Sequence, residues 1–558
     1  MSDRAKDSKF IDPARALSRN MRQRLQQAYY GTAIYRRVLK GPHPVRIKYS
    51  PKDHWGGEAD TANALFRGEY RFAGQTVSAP NGNPFRLNPP SQAWADALHG
   101  FRWLRHFRAH GGEAAQRHVE ALIRSWLEDY DNWEAIAWQP EVIASRLIAW
   151  MSNAPVAVNT EDLVYHSAVM NSMARQARHL SRTAEHSRDG LPRLQAVIGL
   201  IYSGFCLPEG ARRFDKGMRQ LERELDRLIL PDGGIATRNP TDQFEALKAL
   251  VALKSDLRSA NQDIPTTIQR SIDRMAPMLR FFRHADGGLA LFNGSFEEKP
   301  EEVEQVLAAA EAEGKPLGGA IYSGFQRVQS HDVLLIMDAG GPPEDDLSIV
   351  AHAGVNSFEL SVGNDRLIVN CGSSEQLTTD GWQKVSRTTA AHSALVIDNR
   401  NSSSILDNQR IGRPPKKVSA VRDEMEDLVA LDVTHNGYVP LCGYEHERVL
   451  RVHRNGKEVE GLDALKAVAR VKGKNLRFDL RFHLHPDVVA APTLDGAAVD
   501  LTLPGGALWR FECTLGVILE ESVYLGERGH IRRSQQIVVS GDAGGQTHQV
   551  NWRLQKTN

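Results

Sequence analysis

Arg238 and Asn239 follow a Gly-Gly turn in LPDGGIATRNPTDQ, and both side chains can donate hydrogen bonds to a carboxylate or a sulfate. A second polar group comes from LRFDLRFHLH, where Leu476, Phe478, Leu480, Phe482 and Leu484 share one face of a period-two run. Arg477, Asp479, Arg481, His483 and His485 share the other, a stripe that suits an anionic polymer and equally suits a solvated face. Six tryptophans fall between Trp94 and Trp150, both included; indole stacks on sugar rings and also fills helical cores. Asp189 and Asp242 could act as a hydrolytic carboxylate pair if they face each other at roughly 5–10 Å. The motifs GxxxxGK[ST], GxSxG and HExxH are absent, so no P-loop, nucleophile elbow or zincin competes.

Two kinds of element must position these groups. From about residue 90 to 315, apolar residues recur at spacings of three and four, as in AWADALHGFRWLRHF and FEALKALVAL, with Phe244, Leu247, Leu250 and Val251 on one face. Gly111-Gly112, Pro208, Pro231-Asp232-Gly233-Gly234 and Asp286-Gly287-Gly288 separate the helices. From about residue 320 the period becomes two, in DVLLIMD and NSFELSVGNDRLIVN. The expected architecture is an α+β multidomain chain: a basic arm over 1–54, an (α/α) toroid over 55–318 and an antiparallel β-sandwich over 319–558.

Composition bounds the partners. In 558 residues, 69 Lys+Arg stand against 68 Asp+Glu, a net charge of +1 that steers the chain to no nucleic acid. No run of 18 apolar residues marks a membrane span. Residues 1–50 nevertheless carry 12 Lys/Arg against three Asp, with Leu17, Met21, Leu25 and Tyr29 four apart, so this arm reads as an amphipathic basic helix for an anionic surface or as a docked first helix. It lacks the apolar core of a secretory signal, so the expected compartment is the cytoplasm, with the periplasm or envelope as the alternative. Four scattered cysteines fit a reducing compartment.

The stretch AHAGVNSFELSVGNDRLIVNCGSSEQ, followed by WQKVSRTTAAHSALVIDN, resembles the C-terminal β domain of the heparinase II/III superfamily. DGLPRLQAVIGLIYSGF, LPDGGIATRNPTDQFEALKAL and AWQPEVIASRLIAWM are similar to helical landmarks of the same superfamily, so the resemblance runs from about residue 55 to the C-terminal part. It implies a toroid-plus-sandwich fold and β-elimination on uronic-acid polysaccharides. That chemistry needs donors to neutralise the carboxylate, a base for the C5 proton and an acid for the leaving O4.

Carried over residue by residue, the resemblance departs at several places. Asp189-Gly190 stands where lyases often have Asn-His, and such an acid would repel a uronate. Ile235 stands at a His position, and Thr241 or Asp242 at that of a catalytic Tyr. Within Val350-Ala351-His352 only the second His of a paired motif remains. The rearranged set this leaves is Arg238, Asn239 and His186 for the carboxylate, Tyr202 or Tyr322 as the base, and His352 as a further catalytic candidate. His352, Asn370-Cys371 and His392 match positions where relatives hold Zn; a metal set of His352, Cys371 and His392 is thus implied, beside the plainer reading of two hydrogen-bonded histidines, and no organic cofactor is expected. Arg387 resembles a structural Arg of the family. The expected partner is an acidic polysaccharide or oligosaccharide, with a homodimer allowed. The alternatives are a degenerate lyase scaffold acting in glycan binding or cell-envelope biogenesis, and a glycoside hydrolase on the same fold.

Overall fold

The computed structural model describes residue 21 and residues 24–557 except 43, 81, 376–379, 472, 474, 475 and 545. Helices come first and antiparallel sheets second, as the change of period predicts. The chain forms two compact units. One comprises Met1–Tyr70, Val77–Ser187 and Ala196–Met218; the other comprises Arg71–Thr76, Arg188–Gln195 and Arg219–Asn558.

In the first unit, local chemistry sets where helices begin. Ser91 caps Gln92–Gly100 by accepting from Trp94 N, and Asp162 caps Leu163–Thr183 by accepting from Val164 N and Tyr165 N. Pro140 opens Pro140–Ser152, where its missing N–H costs nothing. These helices turn their tryptophans inward. Trp94, Trp103, Trp126, Trp138 and Trp150 are buried, so five of the six serve as core and do not form a sugar platform. Arg146 is buried among them. It lies over Trp126 at 4.3 Å and donates to His99 O, Ala137 O and Gln176 Oε1 at 2.7–3.0 Å. Of the apolar stripe expected in the basic arm, Leu17 lies outside the described residues, whereas Met21, Leu25 and Tyr29 are exposed.

The second unit joins helices Pro240–Ser259, Thr266–Phe281 and Pro300–Ala310 to a β-sandwich. Its eight-stranded sheet runs Val489–Pro492, Ala498–Thr502, Leu508–Cys513, His548–Lys556, Glu458–Ala467, Tyr444–His453, Leu428–His435 and Val418–Glu424 from edge to edge. The facing nine-stranded sheet has Ile518–Tyr524 at one edge and Gly319–Ala320 at the other. Strand Tyr444–His453 alternates buried and half-buried residues without a break, the pattern of a sheet with one face in a core. Phe358, Phe482, Phe511 and Trp552 fill the space between the sheets, with Phe358 and Trp552 stacked at 5.8 Å.

A polar network is embedded in this core. Asp463 accepts from Arg448 Nε at 2.8 Å, from His446 Nε2 at 2.8 Å and from Trp552 Nε1 at 2.9 Å. Arg448 Nη1 continues to Asn356 O and Ser393 O, both at 2.7 Å. Burial alone would raise the Asp463 carboxyl; Arg448 and His446 outweigh it and hold the group down to about 2. Gly461 faces Trp552 across the ladder, and a Cβ there would lie 2.0 Å from the indole.

Beyond the exposed Arg477, the basic stripe expected along Arg477–Leu484 is not free. Arg481 is held by Asp479, Gln536 and Glu520, while His483 is buried against Ser522 and Ala390 O. His485 lies 3.5 Å from Asp487. The alternation is real, but neighbouring strands supply partners to its polar face. Asp463→Asn strands the buried Arg448 charge, so stability falls by about 3–5 kcal/mol, read as a lower urea midpoint with the slope retained. In the wild type, the contribution of Asp463 is complete above the ordinary carboxylate range near about 4 and is lost as pH falls towards 2. Urea midpoints compared at neutral and acid pH, for wild type and Asp463→Asn, check this: the gap between them narrows in acid.

Candidate functional site

Within the second unit, four segments bring polar side chains together. Arg238 has φ +57, a backbone region unusual for a residue with a Cβ, and precedes Asn239, the N-cap of Pro240–Ser259. Arg238 donates through Nε to Ser323 O at 2.7 Å, through Nη1 to Gly341 O at 2.8 Å, and through Nη2 to Gly324 O at 3.0 Å and Asp338 Oδ1 at 2.6 Å. It lies 4.5 Å over Phe325. The expected substrate-binding role for Arg238 is therefore corrected: its donors pin the start of a helix to the nine-stranded sheet. Asn239 is committed likewise. Its Oδ1 accepts from Thr241 N and Asp242 N, and its Nδ2 donates to Asn293 O at 2.9 Å.

Asn293 is the residue the sequence reading missed. Its Nδ2 donates to Arg238 O at 3.1 Å and its Oδ1 accepts from His352 N at 3.2 Å, so it fastens the helix start to the loop carrying His352. The Asn-Gly pair in LFNGSF was its available signal, a turn dipeptide inside a run of buried residues.

His352 and His392 meet directly, Nδ1 to Nε2 at 3.0 Å. Hydrogen-bond logic fixes both tautomers. His392 Nδ1 lies 2.7 Å from Thr388 O and must donate to it, so His392 Nε2 accepts and His352 Nδ1 donates. This leaves a lone pair on His352 Nε2. Burial lowers both imidazoles, His392 to about 4 and His352 well below its ordinary value, with the neighbouring ring adding to the effect at His352. Gly354 makes the room: a Cβ there would sit 2.8 Å from His392 Cδ2. Arg387 holds the same loops by donating to Ala351 O, Ser348 O and Gln409 O.

Cys371 does not join the pair. Its sulfur lies 3.5 Å from His483 Nδ1 and 4.0 Å from Ser522 Oγ, and burial pushes its thiol up to about 12. Asn370 Oδ1 already accepts from Ser393 N, and Asn370 Nδ2 lies 3.3 Å from Glu359 Oε1. Among the described residues no three His, Cys, Asp or Glu side chains converge as a metal set. The zinc set implied by resemblance does not fit the residues present, because each histidine spends a ring nitrogen on the other and the thiol stays protonated elsewhere.

The remaining candidates are dispersed. Tyr322 is exposed at 61%, and its backbone N donates to Asp232. Tyr202 is buried in Leu191–Cys206, 5.2 Å from Phe205, and His186 is an exposed residue at the end of a short 3-10 turn. The latter two belong to the first unit and the His pair to the second. Asp189 is paired with Arg227 and lies 3.6 Å from Arg193, so its charge is compensated. Thr241, at one of the two possible catalytic-Tyr positions, donates to Glu298 Oε1 at 2.8 Å and accepts from Phe296 N. Asp242 is different: burial raises its carboxyl to about 7 against a hydrogen bond from Thr237, with Glu375 pushing it further up.

Residues 312–553 match the family described as heparinase II/III-like, C-terminal. This segment is similar to a heparinase II/III-like C-terminal domain. Solved structures agree on the whole fold. Heparinase III superposes with a TM-score of 0.72 at 13% identity, covering 96% of this chain and 89% of that one. A mutant of the heparan sulfate lyase HepC from Pedobacter heparinus gives 0.62 at 16% identity, covering 96% and 88%. The chain is also 29% identical over 569 residues to FtsZ-localized protein C of Caulobacter vibrioides (strain NA1000 / CB15N), spanning 95% of this chain and 94% of that protein. The fold is thus that of polysaccharide lyases, toroid followed by sandwich.

Metal analysis should return the same sub-stoichiometric zinc for wild type, His352→Ala and His392→Ala, with the melting temperature unchanged by a chelator. Stoichiometric zinc lost in both variants would sink this assignment. His392→Ala itself lowers stability by about 1–3 kcal/mol, since His352 Nδ1–H loses a buried acceptor.

Proposed function

We propose that this protein is a lyase-fold scaffold that binds an acidic polysaccharide or oligosaccharide without cleaving it, acting in the same locale as FtsZ. One observation carries the non-cleaving part of the reading: Arg238 and Asn239, two of the three donors expected to neutralise a uronate, are consumed by the protein's own acceptors, and the third, His186, is an exposed residue of the other unit. A carboxylate left unneutralised does not acidify its neighbouring C–H, so β-elimination has no start. The likeness to a protein named for its localisation with FtsZ supports the locale. Residues 13–52 supply a means of attachment, since they contain ten Lys/Arg and no acid; we place the protein in the cytoplasm with this segment against an anionic envelope surface. The fold alone does not argue for catalysis, because one scaffold hosts active and inactive sites alike.

A second reading keeps β-elimination. It rests on the tautomer chain from Thr388 O through His392 to His352, which leaves His352 Nε2 as a neutral base. One assay separates the two. Incubated with a panel of uronate polysaccharides, the protein should retard or bind a glycan with neither new ultraviolet absorbance from a C4–C5 double bond nor new reducing ends. Absorbance that rises with wild type and vanishes with His352→Ala would establish the lyase instead. New reducing ends without absorbance would point to hydrolysis, for which Asp242, raised to about 7, is the available acid. A fluorescent fusion distributed independently of FtsZ would overturn the proposed locale.

A further inference from the structure

We propose that two copies of this chain associate through the edge strand Val418–Glu424, paired antiparallel so that their eight-stranded sheets become one. This goes beyond the glycan reading and does not depend on it. The strand ends its sheet and is bonded on one side only, to Leu428–His435. Among the described residues no backbone hydrogen bond from another element reaches it. Ser419, Ala420, Val421, Asp423 and Glu424 are exposed, Val421 at 54%.

A seven-residue open edge is a template for pairing, and proteins usually blunt one. The off-path strand Leu395–Ile397 has three residues, all buried, and the other end strands of this sandwich are blunted. Val489–Pro492 is short and ends in proline; Gly319–Ala320 has two residues; Ile518–Tyr524 carries Glu520 and Glu521, which repel in any antiparallel self-pairing across them. Val418–Glu424 does the reverse. Lys416 and Lys417 precede it, Asp423 and Glu424 end it, and all four are exposed. An antiparallel two-fold register centred on Ala420 sets Lys417 of one copy opposite Asp423 of the other, and Lys416 opposite Glu424, each pair occurring twice. The strand is therefore complementary in charge to its own reverse, which a second copy supplies without further coincidence.

The surroundings fit the same occupant. Arg422 turns back to donate to Gly318 O at 3.1 Å and Arg327 O at 3.0 Å, which holds the edge against the facing sheet and brings Leu317, exposed at 40%, to the same side. Met425 adds exposed apolar surface at the end of the strand. Pro414 and Pro415 lack N–H groups and stop the ladder from extending, which limits slippage.

Sedimentation velocity on the full chain tests this. The wild type is expected at twice the chain mass, with association weakened by salt. Lys417→Glu and Asp423→Lys, both at exposed positions, should each raise the dimer dissociation constant about tenfold or more, since each places like charges opposite each other twice. Mixing the two variants in equal amounts should restore a dimer, and far-ultraviolet circular dichroism should be the same for all three proteins. A wild type that stays monomeric overturns the proposal, as does a dimer indifferent to both reversals or one that mixing fails to restore. Capture of a foreign strand by a monomeric wild type, abolished by Val421→Lys, would likewise overturn the second copy as occupant.

Discussion

The ion pair of Arg448 and Asp463 is the interaction on which the sandwich and its site both depend. Neither side chain reaches solvent, and burying two charges is worthwhile only when every remaining donor and acceptor is placed. Asp463 meets that condition with Trp552 and His446; Arg448 meets most of it by reaching two main-chain carbonyls, at Asn356 and Ser393. Those carbonyls lie four residues after His352 and one after His392. A charge balance inside the core therefore sets the separation of the two loops whose imidazoles touch. The relay at the site and the packing between the sheets are two ends of one constraint.

A second buried cation plays the same part at the other side of the site. Arg238 is held where it is by five carbonyl and carboxylate oxygens around residues 323–341, of which Gly324 O and Asp338 Oδ1 also accept from main-chain N–H groups. Through Asn239 and Asn293 this tie reaches the loop of His352. The polar groups of the site thus look inward, and the resemblance of its backbone to lyases says nothing against that. A fold fixes where loops run; whether their donors point at a substrate or at each other is decided by a few side chains.

Much of this architecture is legible in the sequence. Period 3.6 gives way to period two because helices bury a stripe and strands bury a face, and the alternation of Tyr444–His453 in space repeats its alternation in sequence. The pairing of His352 with His392 was also within reach as the plainer alternative to a metal. What could not be read is which polar residues are already spoken for. The acceptors of Arg238 lie some 85 to 103 residues away in the chain. The partners of Arg481 and His483 come from neighbouring strands that no local pattern announces. A period-two run tells which residues share a face and is silent on what lies over it. Asn293 escaped because its importance comes from a place between two loops, while its own neighbours spell only a turn.

Thr241 shows how such a site becomes hard to reverse. Its hydroxyl joins Phe296 N to Glu298, and Glu298 in turn holds Arg528, whose guanidinium lies 4.6 Å over Phe296. An aromatic ring placed at 241 would have to displace a buried carboxylate and orphan the arginine before it could serve as a base. Under the proposed reading, the path back to catalysis needs several compensating changes at once, each harmful alone. The position, one of the two that the resemblance offers for a tyrosine, is thus tied to its neighbours in a way that resists any single replacement.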